Sequence, residues 1–224
     1  MATNYNPRTV TDGLVLCLDA GNTKSYPGTG TTWTDISRNG NDGSLVNMDG
    51  TNFNSSNGGS LTFDGSNEYV KFGSSIQPSN ISVSIWVQPN TSMLSGGYKA
   101  VIDKSSSWYM FLNNGTPIFF INGDFDNATS SVTLTSDWYN LVGVYDQTNI
   151  YIYVNGILTG TTSYTSSINN NSNPIEILSR STIENKANNY KSDGKASNVQ
   201  IYNKALTAAE VEQNFNALRG RFGI

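Results

Sequence analysis

One stretch of this sequence limits the available folds more than any other. Between Trp138 and Thr161, apolar and aromatic residues form three short runs, at 138–145, 150–154 and 157–159. Asp146-Gln147-Thr148-Asn149 separates the first two, and Asn155-Gly156 separates the last two. Short β-branched and aromatic runs bounded by turn residues are strands. Asn-Gly is the preferred pair of a type I′ turn, because both of its positions need positive φ. The segment therefore reads as a three-strand antiparallel meander. A unit that small needs further strands to bury its apolar face.

Those strands are written elsewhere in the chain, at 13–19, 81–87, 99–103, 108–112, 117–121, 175–178 and 196–202. Ile81, Val83 and Ile85 alternate with Ser82 and Ser84, and Pro89 stops that ladder because proline has no N–H to give it. Residues 60–64 and 68–72 flank Gly65-Ser66-Asn67 and are expected to pair as a hairpin. The polar stretch 22–57 is too long to be structureless in a compact domain, and Leu45-Val46 is its best strand. Trp33 and Ile36 are its apolar anchors. Residues 163–173, with asparagines at 169–171, read as a mobile surface loop.

Only the end of the chain changes period. Thr207 and Glu210 have the spacing of a capping box, in which each side chain satisfies a free backbone N–H of the other. Val211, Phe215 and Leu218 then form one apolar stripe, predicting a helix over about 208–219 with Gly220 as its C-terminal cap. The fold class is thus all-β, two packed antiparallel sheets with one short C-terminal helix. With 224 residues and no linker, the expected organisation is an N-terminal arm at 1–12 and a single domain at 13–224.

Composition removes several kinds of chemistry. There is no histidine, so a Ser-His-Asp triad and any His-ligated metal site are excluded. The lone Cys17, between Leu16 and Leu18, allows no intrachain disulfide and reads as a small buried hydrophobe. A net charge of −4 argues against a nucleic-acid partner. No apolar run approaches the roughly 20 residues of a membrane span. MATNYNPRTV lacks the apolar centre of a signal peptide, so the expectation is cytoplasmic synthesis without one.

The chain also resembles a family. Leu61 to Val70, then Ile81 to Pro89, are similar to the early strands of laminin-G-like, concanavalin-A-like jelly rolls. Trp138-Tyr139-Asn140-Leu141-Val142-Gly143-Val144-Tyr145-Asp146, followed by Tyr151-Ile152-Tyr153-Val154-Asn155-Gly156, resembles their most recognisable segment. Lys195 to Thr207, running into Glu210, resembles their closing strand and helix. A narrower likeness, at 13–22, 26–28, 33–37 and 214–224, is to such proteins encoded by tailed phages. The resemblance implies a jelly-roll sandwich and a non-enzymatic structural role on the virion surface, as a fibre, tail or head decoration component. The alternative is a glycan-binding module that recognises the host surface. The partners implied are other virion proteins, a second copy of the chain joined through the termini, or a host-surface glycan.

Candidate site residues follow from those readings. Some concanavalin-A-like enzymes carry acidic residues two apart on one strand, which puts both carboxylates on one face. This chain has no Glu-x-Asp-x-Glu, and its matching late strand offers only Glu176. Catalytic residues are therefore none. Calcium, which takes six to eight oxygen ligands, is the one cofactor considered, with Asp103, Asp124 and Asp126 as ligands. Of the aromatics, Trp33, Phe125, Tyr164 and Tyr190 fall in loops and are the residues expected to contact a glycan.

Overall fold

The structure is a computed structural model that describes residues 8–123, 126–180 and 190–224. Its first half contains β1 (Leu14–Asp19), β2 (Thr32–Trp33), β3 (Gly43–Val46), β4 (Phe53–Asn54), β5 (Ser60–Asp64), β6 (Tyr69–Phe72), β7 (Ile81–Pro89) and β8 (Tyr98–Lys104). The second half adds β9 (Trp108–Asn113), β10 (Thr116–Ile121), β11 (Asn127–Thr129), β12 (Tyr139–Tyr145), β13 (Asn149–Val154), β14 (Ile157–Ser163), β15 (Ile175–Ile177) and β16 (Asp193–Tyr202). One helix, α1 (Ala208–Leu218), follows.

Two sheets result. The first runs β14-β13-β12-β7-β16-β5-β4, with β1 also paired to β16, and the second runs β11-β10-β9-β8-β15-β6-β3-β2. The protein is the antiparallel two-sheet sandwich with a short C-terminal helix that the sequence predicts. Between the sheets lie Phe63, Val83, Ile85, Ile102, Met110, Phe119, Leu141, Ile152 and Ile177, all buried. At Gly143 of β12 a side chain would collide with the Phe119 ring from the opposite sheet, so only glycine permits this approach.

Local chemistry explains the meander. Asn155 and Gly156 have φ of 52° and 80°, the left-handed pair that a two-residue hairpin demands. The Asn155 Oδ1 also accepts the Asn140 N–H at 2.9 Å, which fixes β12 against β13. At the helix, the Glu210 N–H donates to Thr207 Oγ1 at 3.3 Å and the Thr207 N–H donates to Glu210 Oε2 at 2.8 Å. Both halves of the capping box are made. Gly220 is not the cap: the chain continues through a 3-10 turn over Arg219–Arg221, and Gly223 takes the left-handed φ of 74°.

Other expectations are corrected by long-range pairing. β5 and β6 do not form a hairpin, because β5 joins β16 in the first sheet and β6 joins β15 and β3 in the second. Gly65-Ser66-Asn67 is thus a link between sheets. The asparagine-rich loop is held down: Asn169 and Asn171 Nδ2 donate to the backbone oxygens of Ser106 and Ser105 at 2.9 and 2.8 Å. In the N-terminal arm, Val10 is buried, its N–H donates to Asn214 Oδ1 at 2.7 Å, and its carbonyl accepts the Tyr202 hydroxyl at 3.0 Å.

Both outer faces of the sandwich carry buried aromatic residues, and among the described residues a helix closes over the first. On the first sheet, α1 and the residues after it close over Trp86 and Trp138, with Phe222 stacked on Trp86 at 4.0 Å between ring centroids. Phe222 therefore docks on its own sandwich. Arg221 locks this arrangement with two 2.9 Å hydrogen bonds to the Asp19 carboxylate. On the second sheet, Lys104 at the end of β8 is buried and donates to the carbonyls of Ser74 and Ile76 at 3.1 and 2.6 Å. Burial pulls its amine down to about 8.

Candidate functional site

The second sheet places a row of side chains on its outer face. In register across β6, β15, β8, β9 and β10 stand Lys71, Glu176, Asp103, Tyr109 and Phe120. Directly paired residues share a face of the sheet. The neighbouring row contributes Ala100, Phe111 and Ile118. These strands are apolar on both faces, since Met110 and Phe119 between them enter the core. Tyr109 and Phe120 stack at 4.6 Å with planes 20° apart.

Arg180 covers this row. Just after β15, Leu178 is buried with φ of 54°, a left-handed conformation that turns the chain out of the sheet. Arg180 then lies with its guanidinium carbon 4.8 Å from the Tyr109 ring centre, 5.3 Å from Phe111 and 5.5 Å from Tyr190. Cation–π attraction of this kind gains strength as the site is desolvated. Arg180 Nε is 3.9 Å from the Asp103 carboxylate, and both side chains are buried. Beyond Arg180, the strand edge is restored: the Ala100 N–H donates to the Tyr190 carbonyl at 3.2 Å and the Ser192 hydroxyl donates to the Ala100 carbonyl at 2.6 Å.

Between these groups lies a cleft of about 100 Å³, lined by Tyr98, Tyr109, Phe111, Phe120, Arg180 and Tyr190. Tyr98 is 43% exposed and forms the open lip. Larger depressions of about 310 and 500 Å³ occur elsewhere, but polar side chains and proline dominate them. Their one aromatic, Phe63, is spent on the core. Among the described residues, the Arg180 cleft sets a charged group among several aromatic rings, the makeup of a small-ligand site.

The residues singled out from the sequence separate widely. Tyr190 is in the cleft wall. Trp33 is fully buried, because its two-residue strand pairs with β3 and points the indole into the core, so it is no glycan contact. Tyr164 is half-buried against Tyr145, and its hydroxyl accepts the Asn122 side-chain amide at 3.0 Å. Phe125 and Asp124 lie outside the described residues. Asp103 is buried facing Arg180 and does not offer itself to an ion at the rim. Asp126 stands in the turn before β11, its carbonyl accepting the Ile121 N–H. Among the described residues, no three carboxylates or thiolates converge to hold a metal.

A carboxylate pair that sequence reasoning missed does exist. Asp103 and Glu176 sit opposite each other on β8 and β15. Burial raises the Glu176 carboxyl above its ordinary range, with Ser179, Lys71 and Lys191 pulling the other way. Both residues are buried, and Asp103 faces Arg180, so the pair is built into the sheet and is not presented to a substrate. Tyr98, Tyr109, Phe111, Phe120 and Arg180 were also missed. Their signal was present: Tyr109-Met110-Phe111 and Ile118-Phe119-Phe120 are too apolar for strands with one wet face.

Residues 63–212, about two thirds of the chain, match the concanavalin A-like lectin/glucanases superfamily. None of the curated proteins matches the sequence. Among solved structures, the binding domain of Paraclostridial Mosquitocidal Protein 1 superposes with a TM-score of 0.68 at 16% identity, over 92% of this chain and 52% of that one. The binding domain of botulinum neurotoxin serotype D/C gives 0.71 at 16% identity, over 93% and 53%. The ligand-binding domain of botulinum neurotoxin serotype D, in complex with N-acetylneuraminic acid, gives 0.69 at 14% identity, over 92% and 51%. The chain thus spans about half the length of these toxin domains and shares their fold.

Proposed function

The chain belongs to the concanavalin A-like lectin/glucanases superfamily, and on that premise we propose that it is a non-enzymatic glycan-binding protein acting on the surface of a phage particle. The observation that carries the glycan reading is the Arg180 cleft, with exposed Tyr98 at its lip and Tyr190 in its wall. Aromatic rings present flat apolar faces on which the C–H face of a sugar can rest, while a tyrosine hydroxyl and a guanidinium offer hydrogen bonds at the edge. A toxin domain of the same fold in complex with a sugar supports the reading. The buried, Arg180-facing Asp103 supports binding without hydrolysis.

Placement on a particle rests on the likeness of residues 13–22, 26–28, 33–37 and 214–224 to tailed-phage proteins, and the expected arrangement is one jelly-roll domain behind a short arm. The test has two parts. On a glycan array the protein binds a defined set of saccharides and Tyr98→Ala loses it; release of reducing sugar from any bound glycan overturns the non-enzymatic reading. Mass spectrometry of purified particles finds the chain, and its absence there overturns the placement.

A further inference from the structure

We propose that Asn39 is a self-modifying site: its side-chain amide is lost to the backbone of Gly40, and part of the cap on the outer edge of β1 is lost with it. The pair Asn-Gly occurs five times in the chain, at 39, 57, 114, 122 and 155. In each, the glycine nitrogen has no neighbouring Cβ to obstruct it and can attack the asparagine Cγ. The N–Cγ bond forms, the Cγ–Nδ2 bond breaks, and the glycine proton leaves with the amide as ammonia. Water then opens the cyclic imide at either carbonyl, giving aspartate or isoaspartate. The structure separates the five. Asn57, Asn114, Asn122 and Asn155 have φ of 55°, 47°, 63° and 52°, and ring closure has to turn each out of its left-handed bend. Asn114 and Asn155 Oδ1 also accept the backbone N–H groups of Gly97 and Asn140 at 3.0 and 2.9 Å. Asn122 is held by Asn169, Tyr164 and Ser167, and Asn57 is clasped by Arg221 on both its side chain and its carbonyl. Asn39 is exposed and is the one of the five without a left-handed φ. Nothing lies within 4 Å of the position that a Cβ on Gly40 would take, so the ring has room to close.

The amide that leaves belongs to a cap. β1 pairs with β16, and its other backbone groups are met by the segment 35–41, which stands in for a strand. There the Cys17 N–H donates to Asp35 Oδ1 and the Ile36 N–H donates to the Cys17 carbonyl, both at 2.9 Å. Asn41 Nδ2 donates to the Val15 carbonyl at 2.8 Å, and Asn39 Nδ2 to the Leu14 carbonyl at 3.2 Å. Asn39 Nδ2 also donates to Ser37 Oγ at 3.0 Å, while the one Ser37 hydroxyl proton goes to Asp35 Oδ2 at 2.8 Å. A carboxylate at 39 therefore has no proton to give Leu14 and finds none to take from Ser37. It is also a third acid in the segment that already carries Asp35 and Asp42, where like charges repel. Both effects loosen the cap, and an uncovered strand edge offers its N–H and C=O groups to other chains.

The experiment ages the full chain in warm, mildly alkaline buffer and follows all five pairs by peptide mass spectrometry, reading the change from amide to acid. Conversion at Asn39 is expected to run severalfold ahead of each other site in the folded protein, and that lead shrinks when the chain is aged in denaturant. Asn39→Gln, whose longer side chain closes a ring poorly, stops conversion in its peptide and leaves the other four rates unchanged. Hydrogen exchange reads the cap. In aged protein and in Asn39→Asp, the Cys17 and Ile36 amides are expected to exchange severalfold faster than in fresh wild type, while those of β12 and β13 keep their protection. Earlier conversion at another pair, equal rates at all five, or an undiminished lead in denaturant overturns the assignment of the site. Unchanged exchange at Cys17 and Ile36 in both proteins overturns the loosening of the cap.

Discussion

The two outer faces of the sandwich are built from the same materials and end differently. On the first sheet, Trp86 and Trp138 are sealed by Phe222 and flanked by Phe215, with the Arg221 guanidinium 5.4 Å from the Phe222 ring and that of Arg219 5.9 Å from Phe215. On the second, Tyr109, Phe111 and Phe120 carry Arg180 above them, and Tyr98 stays open to solvent. Aromatic rings with an arginine are present in both places. The difference lies in what closes them: on the first sheet the chain's own helix and tail complete the packing, and on the second a cleft remains. Aromatic content alone does not mark a binding site. What sets the second face apart is that, among the described residues, its rings border an open cleft.

The largest test of that contrast is Phe222→Ala. It removes the ring wedged between two tryptophans, and loss of a buried phenylalanine costs about 3–5 kcal/mol. Denaturant titration is expected to show a loss in that range, while saccharide affinity measured on folded protein stays unchanged. A change in affinity of tenfold or more would mean that the two faces are coupled. Second in size is Arg180→Met, which fills similar space but leaves the buried Asp103 facing an apolar chain. Breaking a buried pair at one partner costs about 3 kcal/mol, again read by denaturant titration; an unchanged midpoint would show that Asp103 does not depend on Arg180. Third is Tyr98→Ala, on the open lip, where the expected stability change is below about 1 kcal/mol because an exposed side chain has little packing to lose. A larger loss would show that the cleft is part of the core after all.

A separate contrast appears in alkali, where the sheets are expected to respond with opposite signs. Lys104, on the second sheet, has its amine depressed by burial from 10.5 to about 8. Folding penalises its charged form, so the penalty is full below pH 8 and fades as pH rises toward 10.5. Cys17, on the first sheet, has its thiol pushed up by burial from 9.0 to about 12. Its neutral form contributes stability that is complete below pH 9 and is lost as pH climbs through 12. Relative to wild type, Lys104→Met should therefore lose ground between pH 8 and 10.5, and Cys17→Ala should gain ground above pH 9. Denaturation curves across that range check both, and parallel profiles for all three proteins would refute the assignment.

Local chemistry was legible in the sequence and long-range closure was not. The Asn155-Gly156 turn and the Thr207–Glu210 capping box are decided within a few residues, and both are found as read. The link at 65–67 has the same look as a hairpin turn, yet whether β5 and β6 pair depends on β16 and β15, more than a hundred residues away. Trp33 shows the same limit, since its burial follows from pairing with β3 and not from its polar neighbours. Of the cleft, Tyr190 was anticipated as a loop aromatic. The rest was hidden because Tyr109 and Phe111 look like core strand residues, and only the fold brings Arg180 over them.

The clasp at the two ends of the described chain fixes a direction. Val10 is held by Asn214 and Tyr202, the Arg8 carbonyl accepts the Gln213 side chain at 2.7 Å, and Phe222 lies on Trp86. All of these contacts are on the outer face of the first sheet, whereas the cleft opens on the outer face of the second. Two sheets packed about 10 Å apart stand between them. An object anchored through either of these segments is thus turned so that its back meets the support and the Tyr98 lip looks away from it. Copies fixed side by side would all present their clefts in one layer, where weak single contacts to a repetitive surface act together and are lost only when many let go at once.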